Sequence, residues 1–168
     1  MVSDDQLRAD RLVFYADDVD RIDHELDGFL ETSGARCAML IDESGHLVTR
    51  RGESVAHSPE SVAALAAASF AATREMARLL GEESFSSLFH QGARESVQIE
   101  HVGGRALFTV VFDERSNLGL VRYYARERCG HLEALLREIA SRPAGGDGRE
   151  GLAEDFTSSA AKALDDLF

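Results

Sequence analysis

The chain has 168 residues, 30 of them acidic against 18 basic, for a formal net charge of -12, and 44% are hydrophobic. That length suits one domain able to bury a core without disulfides or metals, and the charge argues against a nucleic-acid or anionic-membrane surface, whose footprint is basic. No apolar run is long enough to cross a bilayer, the acidic start Met1-Val2-Ser3-Asp4-Asp5 lacks a signal-peptide pattern, and Cys37 and Cys129 sit in apolar segments as reduced core thiols, so a cytoplasmic protein is expected.

Residues 1–11 read as a flexible polar extension, and Leu12-Val13-Phe14-Tyr15 as an apolar lead-in to a domain spanning residues 12–142. A first helix is expected over residues 16–32. Val19, Ile22, Leu26, Phe29 and Leu30 recur at helical spacing, acids fill the outer face, and Gly34 is placed to stop it. Residues 36–42 and 46–50 read as a hairpin turning at Glu43-Ser44-Gly45. Ser58-Pro59-Glu60 then offers a cap, a proline at the first helical position and an acid at the positive end of the dipole. The second helix should run to about Leu80, with Gly81 behind it. Val62, Leu65, Ser69, Ala72, Met76 and Leu79 are expected to form its buried face, leaving a surface of Ala63, Ala64, Ala66, Ala67, Ala68 and Ala71.

Three strands should follow: residues 85–90, a strand on which Val97, Ile99 and His101 alternate, and residues 106–112, apolar on both faces and therefore central. Gly103-Gly104 is the turn between the last two. Ser116 or Asn117 can cap a third helix running to about Ser141, with Val121, Ala125, Cys129, Leu132, Leu136 and Ile139 as its buried stripe. Residues 143–151 form a Gly-rich flexible linker, and residues 152–168 carry Leu152, Phe156, Ala160 and Leu164 at intervals of four, then Leu167 and Phe168. This order of elements is satisfied by an antiparallel sheet with helices on its faces, an α+β domain.

Sites of chemistry are scarce. Gly103-Gly104 lacks the lysine and helix that a phosphate-cradling loop requires, and no serine sits in a nucleophile elbow. The histidines at positions 24, 46, 57, 90, 101 and 131 show no metal-ligand spacing, though His90 and His101 lie on neighbouring strands and could approach each other. Asp17, Asp18 and Asp20 read as helix-start charge. No catalytic residue, cofactor or metal is expected. The alanine-rich second helix reflects either helix propensity or, the favoured reading, a flat surface for a second copy or a partner. The segment beyond the linker is either a disordered tail or a partner-binding amphipathic helix.

Leu12-Val13-Phe14-Tyr15, Leu79-Leu80-Gly81-Glu82 with Phe85, Phe89-His90-Gln91-Gly92-Ala93, the strand-to-helix junction from Asp113 to Arg122 and the ending Ala163-Leu164-Asp165-Asp166-Leu167-Phe168 together resemble the roadblock/longin-type domain family, in particular its bacterial MglB-type branch. The resemblance implies the order α-β-β-α-β-β-β-α with a five-stranded antiparallel sheet. It also implies a homodimer in which sheets join edge to edge and second helices lie side by side. Two copies would engage one Ras-like small GTPase of the MglA type across those helices, with other roadblock proteins as further partners. The dimer would speed GTP hydrolysis by remodelling the switch regions without an arginine finger, in cell polarity and gliding motility, at a cell pole. Carried onto this chain, the partner-binding positions are Ala64, Ala67, Ala68, Ala71, Glu75, Arg115 and Arg122, with Leu152, Phe156, Leu164, Leu167 and Phe168 on the C-terminal segment. Arg74 and Arg78 are further arginines to weigh as fingers, against a reading as ion-paired surface side chains. Thr73-Arg74-Glu75 is bulkier than the small residues expected at that turn, which leaves a non-activating scaffold as the alternative. A small-ligand sensor would need a convergent polar set that the core pattern lacks.

Overall fold

The computed structural model describes residues 12–55 and 58–142; the readings of residues 1–11, of the linker and of the segment 152–168 lie outside the described residues. Helix α1 spans Ala16–Ser33. The Tyr15 N–H donates to Asp18 Oδ2 at 2.9 Å at its start, and Gly34, at φ 68°, closes its end by donating to the Leu30 carbonyl at 3.1 Å. Strands β1 (Cys37–Asp42) and β2 (Leu47–Gly52) form the expected hairpin, followed by α2 (Pro59–Leu79), β3 (Ser87–Gln91), β4 (Ser96–Val102), β5 (Ala106–Phe112) and α3 (Leu118–Ala140). The Ser58 and Asn117 side chains cap α2 and α3 by accepting from the N–H groups of Ser61 and Leu120.

The five strands pair antiparallel throughout in the order β2-β1-β5-β4-β3. Period-two alternation divides the sheet between two cores. On one face Ile22, Leu26 and Phe29 of α1 and Val121, Ala125, Leu132 and Leu136 of α3 pack on Ala38, Leu40, Val102, Phe108 and Val110. On the other, α2 packs on Cys37, Met39, Ile41, Ile99, Leu107 and Val111. All seven residues of β5 are buried, as a central strand covered on both faces requires.

Two expectations need correction. The third strand starts at Ser87, because Phe85 leaves the sheet line to meet Phe70, ring centroids 5.0 Å apart. The second concerns α2. Its buried residues are Ala63, Ala66, Ala67, Phe70 and Ala77, while Leu65, Met76 and Leu79 are exposed. Small side chains let the helix axis settle close to the sheet: a Cβ added to Gly45, in the β1–β2 turn, would lie 3.2 Å from Ala64 Cα. Phe70 fills the space the alanines leave, so the larger aliphatic stripe is turned outward.

Candidate partner-docking surface

The inverted packing of α2 defines the site. Leu65, Met76, Leu79 and Leu80 are 68%, 55%, 73% and 75% exposed. With the exposed Ala68, Ser69 and Ala72 between them, positions 65, 68, 69, 72, 76 and 79 recur at helical spacing and make one apolar stripe along the helix. Lone exposed leucines are ordinary, but a continuous stripe of this kind marks an interaction surface.

The residues expected to bind a partner fall in three places. Ala68 lies within the stripe, Ala64 and Ala71 are exposed on α2 beside it, and Glu75 follows them, held by Arg78 at 2.6 Å. Ala67 is 7% exposed and packs into the core, so it can act on a partner only by setting the position of its neighbours. Arg74 lies 3.6 Å from Glu43, whose Oε1 also meets His101 Nε2 at 3.0 Å, tying the C-terminal half of α2 to the β1–β2 turn and β4.

Arg115 stands at the end of the sheet, away from α2, with Nη1 on Glu53 at 2.7 Å and Nε on Asp113 at 3.1 Å. Arg36 reinforces that network, 2.9 Å from Glu53 and 3.7 Å from Asp113, and also pairs with Glu95. The Arg115 and Arg36 guanidiniums hold the Glu53 carboxyl down at about 2. An adjoining cleft of about 590 Å3 is lined by Arg36, Ala93, Arg94, Glu95, Asp113 and Glu114, a charged lining unlike the apolar wall of a small-molecule pocket. Arg122 is on the opposite face of the sheet from α2, its guanidinium 5.9 Å from the centre of the Phe89 ring.

His90 and His101 do not meet: His90 pairs with Val97, while the His101 N–H reaches back to the Ser86 carbonyl. Among the described residues no group of three or more His, Cys, Asp or Glu side chains could hold a metal ion. Histidines do gain carboxylate neighbours that sequence spacing did not suggest as a set: His46 with Asp42 at 3.1 Å, His131 with Glu25 at 3.0 Å, and His101 with Glu43. Sequence reasoning also missed the exposed Leu65, Met76, Leu79 and Leu80. The available signal was the second stripe on the same helix, Ala63, Ala66, Ala67, Phe70 and Ala77, which has equally good helical spacing.

Residues 22–112 match the Roadblock/LC7 domain family. Among solved structures, an MglB with tetrameric arrangement is 33% identical, with 76% of this chain and 96% of that chain covered and a TM-score of 0.71. Myxococcus xanthus MglB is 30% identical, with 80% of this chain and all of that chain covered (100%) at a TM-score of 0.71. The gliding protein MglB from Thermus thermophilus is 34% identical, with coverage of 76% and 96% and a TM-score of 0.69. No curated protein matches the chain.

Proposed function

The chain belongs to the Roadblock/LC7 domain family, and from that premise we propose that it is a homodimeric regulator of a Ras-like small GTPase of the MglA type. The observation that carries this reading is the outward apolar stripe of α2, Leu65, Met76 and Leu79, flanked by the exposed Ala64, Ala68 and Ala71. Burying one such leucine contributes about 1.5–3 kcal/mol, and the alanines admit a close approach of a second helix or a partner surface. Two α2 helices side by side would present one GTPase with a broad, flat surface. Arg74, Arg78 and Arg115 already lie beside carboxylates. That favours a mechanism in which docking reorders the GTPase's own switch residues around the γ-phosphate over one in which an arginine is inserted. The similarity to a gliding protein supports a role in gliding motility, and with it we propose a part in cell polarity, with action at a cell pole. No helix among the described residues is long and apolar enough to cross a membrane. The segment bearing Leu152, Phe156, Leu164, Leu167 and Phe168 is proposed as a further contact with a partner.

The deciding experiment is GTP turnover by an MglA-like GTPase with the chain added at two copies per GTPase. Acceleration that disappears in Ala68→Arg and Ala71→Arg supports the activator; acceleration that survives both places docking elsewhere. A second reading, a scaffold that binds without activating, is favoured by Arg74 and Glu75, which put charge on the C-terminal half of α2 where smaller residues were expected. Co-elution with unchanged turnover would select it.

A further inference from the structure

The two faces of the sheet hold their helices unequally. On one face Ile22, Leu26 and Phe29 of α1 and Val121, Leu132 and Leu136 of α3 are buried, and the two helices also pack on each other. Ion pairs close that contact: Arg21 to Glu138 at 2.8 Å, Arg128 to Glu25 at 2.8 Å and, just past α3, Arg142 to Asp18 at 2.6 Å.

Helix α2 has neither support. It lies alone on its face, and of its buried residues, Ala63, Ala66, Ala67, Phe70 and Ala77, only Phe70 is larger than alanine. A buried alanine removes far less apolar area from water than a leucine, so 21 residues of helix are seated chiefly by one aromatic ring. Among the described residues the one ion pair from α2 to the rest of the fold joins Arg74 to Glu43 at 3.6 Å, between half-exposed side chains, where such a pair contributes little.

The sheet beneath weakens the seat further. Thr109 of β5 stands between Met39 and Ile99, faces α2 with them and is fully buried. Its Oγ1 has no hydrogen-bond partner among the described residues, so seating α2 strips that hydroxyl of water and returns nothing. Lifting α2 hydrates it again.

We infer that α2 is a separable layer of the fold: it leaves the sheet, carrying its apolar stripe with it, while α1, α3 and the five strands stay folded. Proteins open locally in such units, and the units with the fewest buried apolar contacts open first. The docking surface is then present only while α2 is seated, and whatever covers the stripe holds the helix down by mass action. The inference goes beyond the GTPase reading and does not depend on it, because it rests on packing and not on which partner α2 meets.

Amide hydrogen exchange of the full chain, read by peptide mass spectrometry at several chain concentrations, tests it. The dilution series is needed because pairing of two stripes would slow α2 alone. In the dilute chain the α2 amides should exchange at least about tenfold faster than those of α1 and α3. Ile22→Val trims the opposite core and should speed α1 and α3 about fivefold, with α2 unchanged because it has already opened without them. Thr109→Val removes the orphan hydroxyl at similar volume and should slow α2 about tenfold. Alanine is the best helix former, so a lifted α2 keeps part of its helix and shields some amides. Cys37, in the core beneath α2 and 1% exposed, reads the same event through alkylation by iodoacetamide. Its alkylation should follow the α2 amides, unchanged in Ile22→Val and slowed in Thr109→Val. Equal exchange of all three helices at every concentration, a Cys37 that reacts only on global unfolding, acceleration of α2 by Ile22→Val, or indifference of α2 to Thr109→Val would each overturn the inference.

Discussion

Asp18 has no exposed side-chain surface and is held by both terminal nitrogens of Arg142 while it accepts the Tyr15 N–H. The Arg142 hydrogen bonds keep its carboxyl below the ordinary 3.8, against the opposing pull of burial. A folded-state value below the unfolded one means that the pair's stabilisation is present above about pH 4 and is lost as pH falls through the folded value. Arg142→Ala leaves the Asp18 carboxylate without its cation and should lower stability in urea unfolding at neutral pH, with Asp18→Asn flattening the acid limb of the stability curve. An unchanged acid limb in Asp18→Asn would mean that the pair does not govern it. Glu53 makes a sharper local case: its carboxyl should titrate near 2 by nuclear magnetic resonance, and Arg115→Ala should move the midpoint upward while Arg36 retains part of the effect. At this scale the sequence was half legible. The acids near residue 18 were readable as helix-start charge, but Arg142 lies 124 residues away and no local pattern announces the pairing.

Helix α2 illustrates what an element's sequence does and does not decide. Its limits were readable from Ser58-Pro59 and from Gly81, because caps and breakers act within a turn. Its rotation was not. The helix carries two stripes at helical spacing, one aliphatic and one of alanines around Phe70, and periodicity alone cannot rank them. The choice is made by the distance at which the sheet can be approached, which belongs to β1, β5 and the tight turn at Gly45 as much as to α2. The consequence is testable in neighbouring pairs of substitutions. Phe70→Ala should cost about 3–5 kcal/mol, the usual toll of an emptied aromatic site, whereas Leu79→Lys should leave monomer stability within about 0.5 kcal/mol. Likewise Ala67→Arg should prevent folding while Ala68→Arg, one position on, should fold and lose only partner binding. Thermal unfolding and circular dichroism read these outcomes, and a Leu79→Lys chain as damaged as Phe70→Ala would return the aliphatic stripe to the core.

Across the whole molecule the element order and the five-stranded sheet were legible, because hydrophobic alternation and turn residues agree with one another along most of the chain. What the two sheet edges do was less so. Strand β2, at one edge, carries Arg50 and Arg51, and α1 tethers it through Asp23 on Thr49 at 2.5 Å and Asp27 on Arg51 at 2.8 Å. Charge and an overlying helix are the means by which an edge is kept from pairing. Strand β3, at the other edge, reads Ser87-Leu88-Phe89-His90-Gln91, without a lysine, arginine or acid, and His90 and Gln91 are exposed. The proposed homodimer should therefore join through β3, where the backbone donors and acceptors of the outer side await a strand, and not through β2. Placing two lysines there, His90→Lys with Gln91→Lys, should yield a folded monomer by light scattering. The corresponding exchange of Arg50 and Arg51 for glutamine should leave the dimer mass unchanged. The reverse pattern would show that the charged edge is the one that pairs, and would move the proposed α2–α2 contact to a different geometry with it.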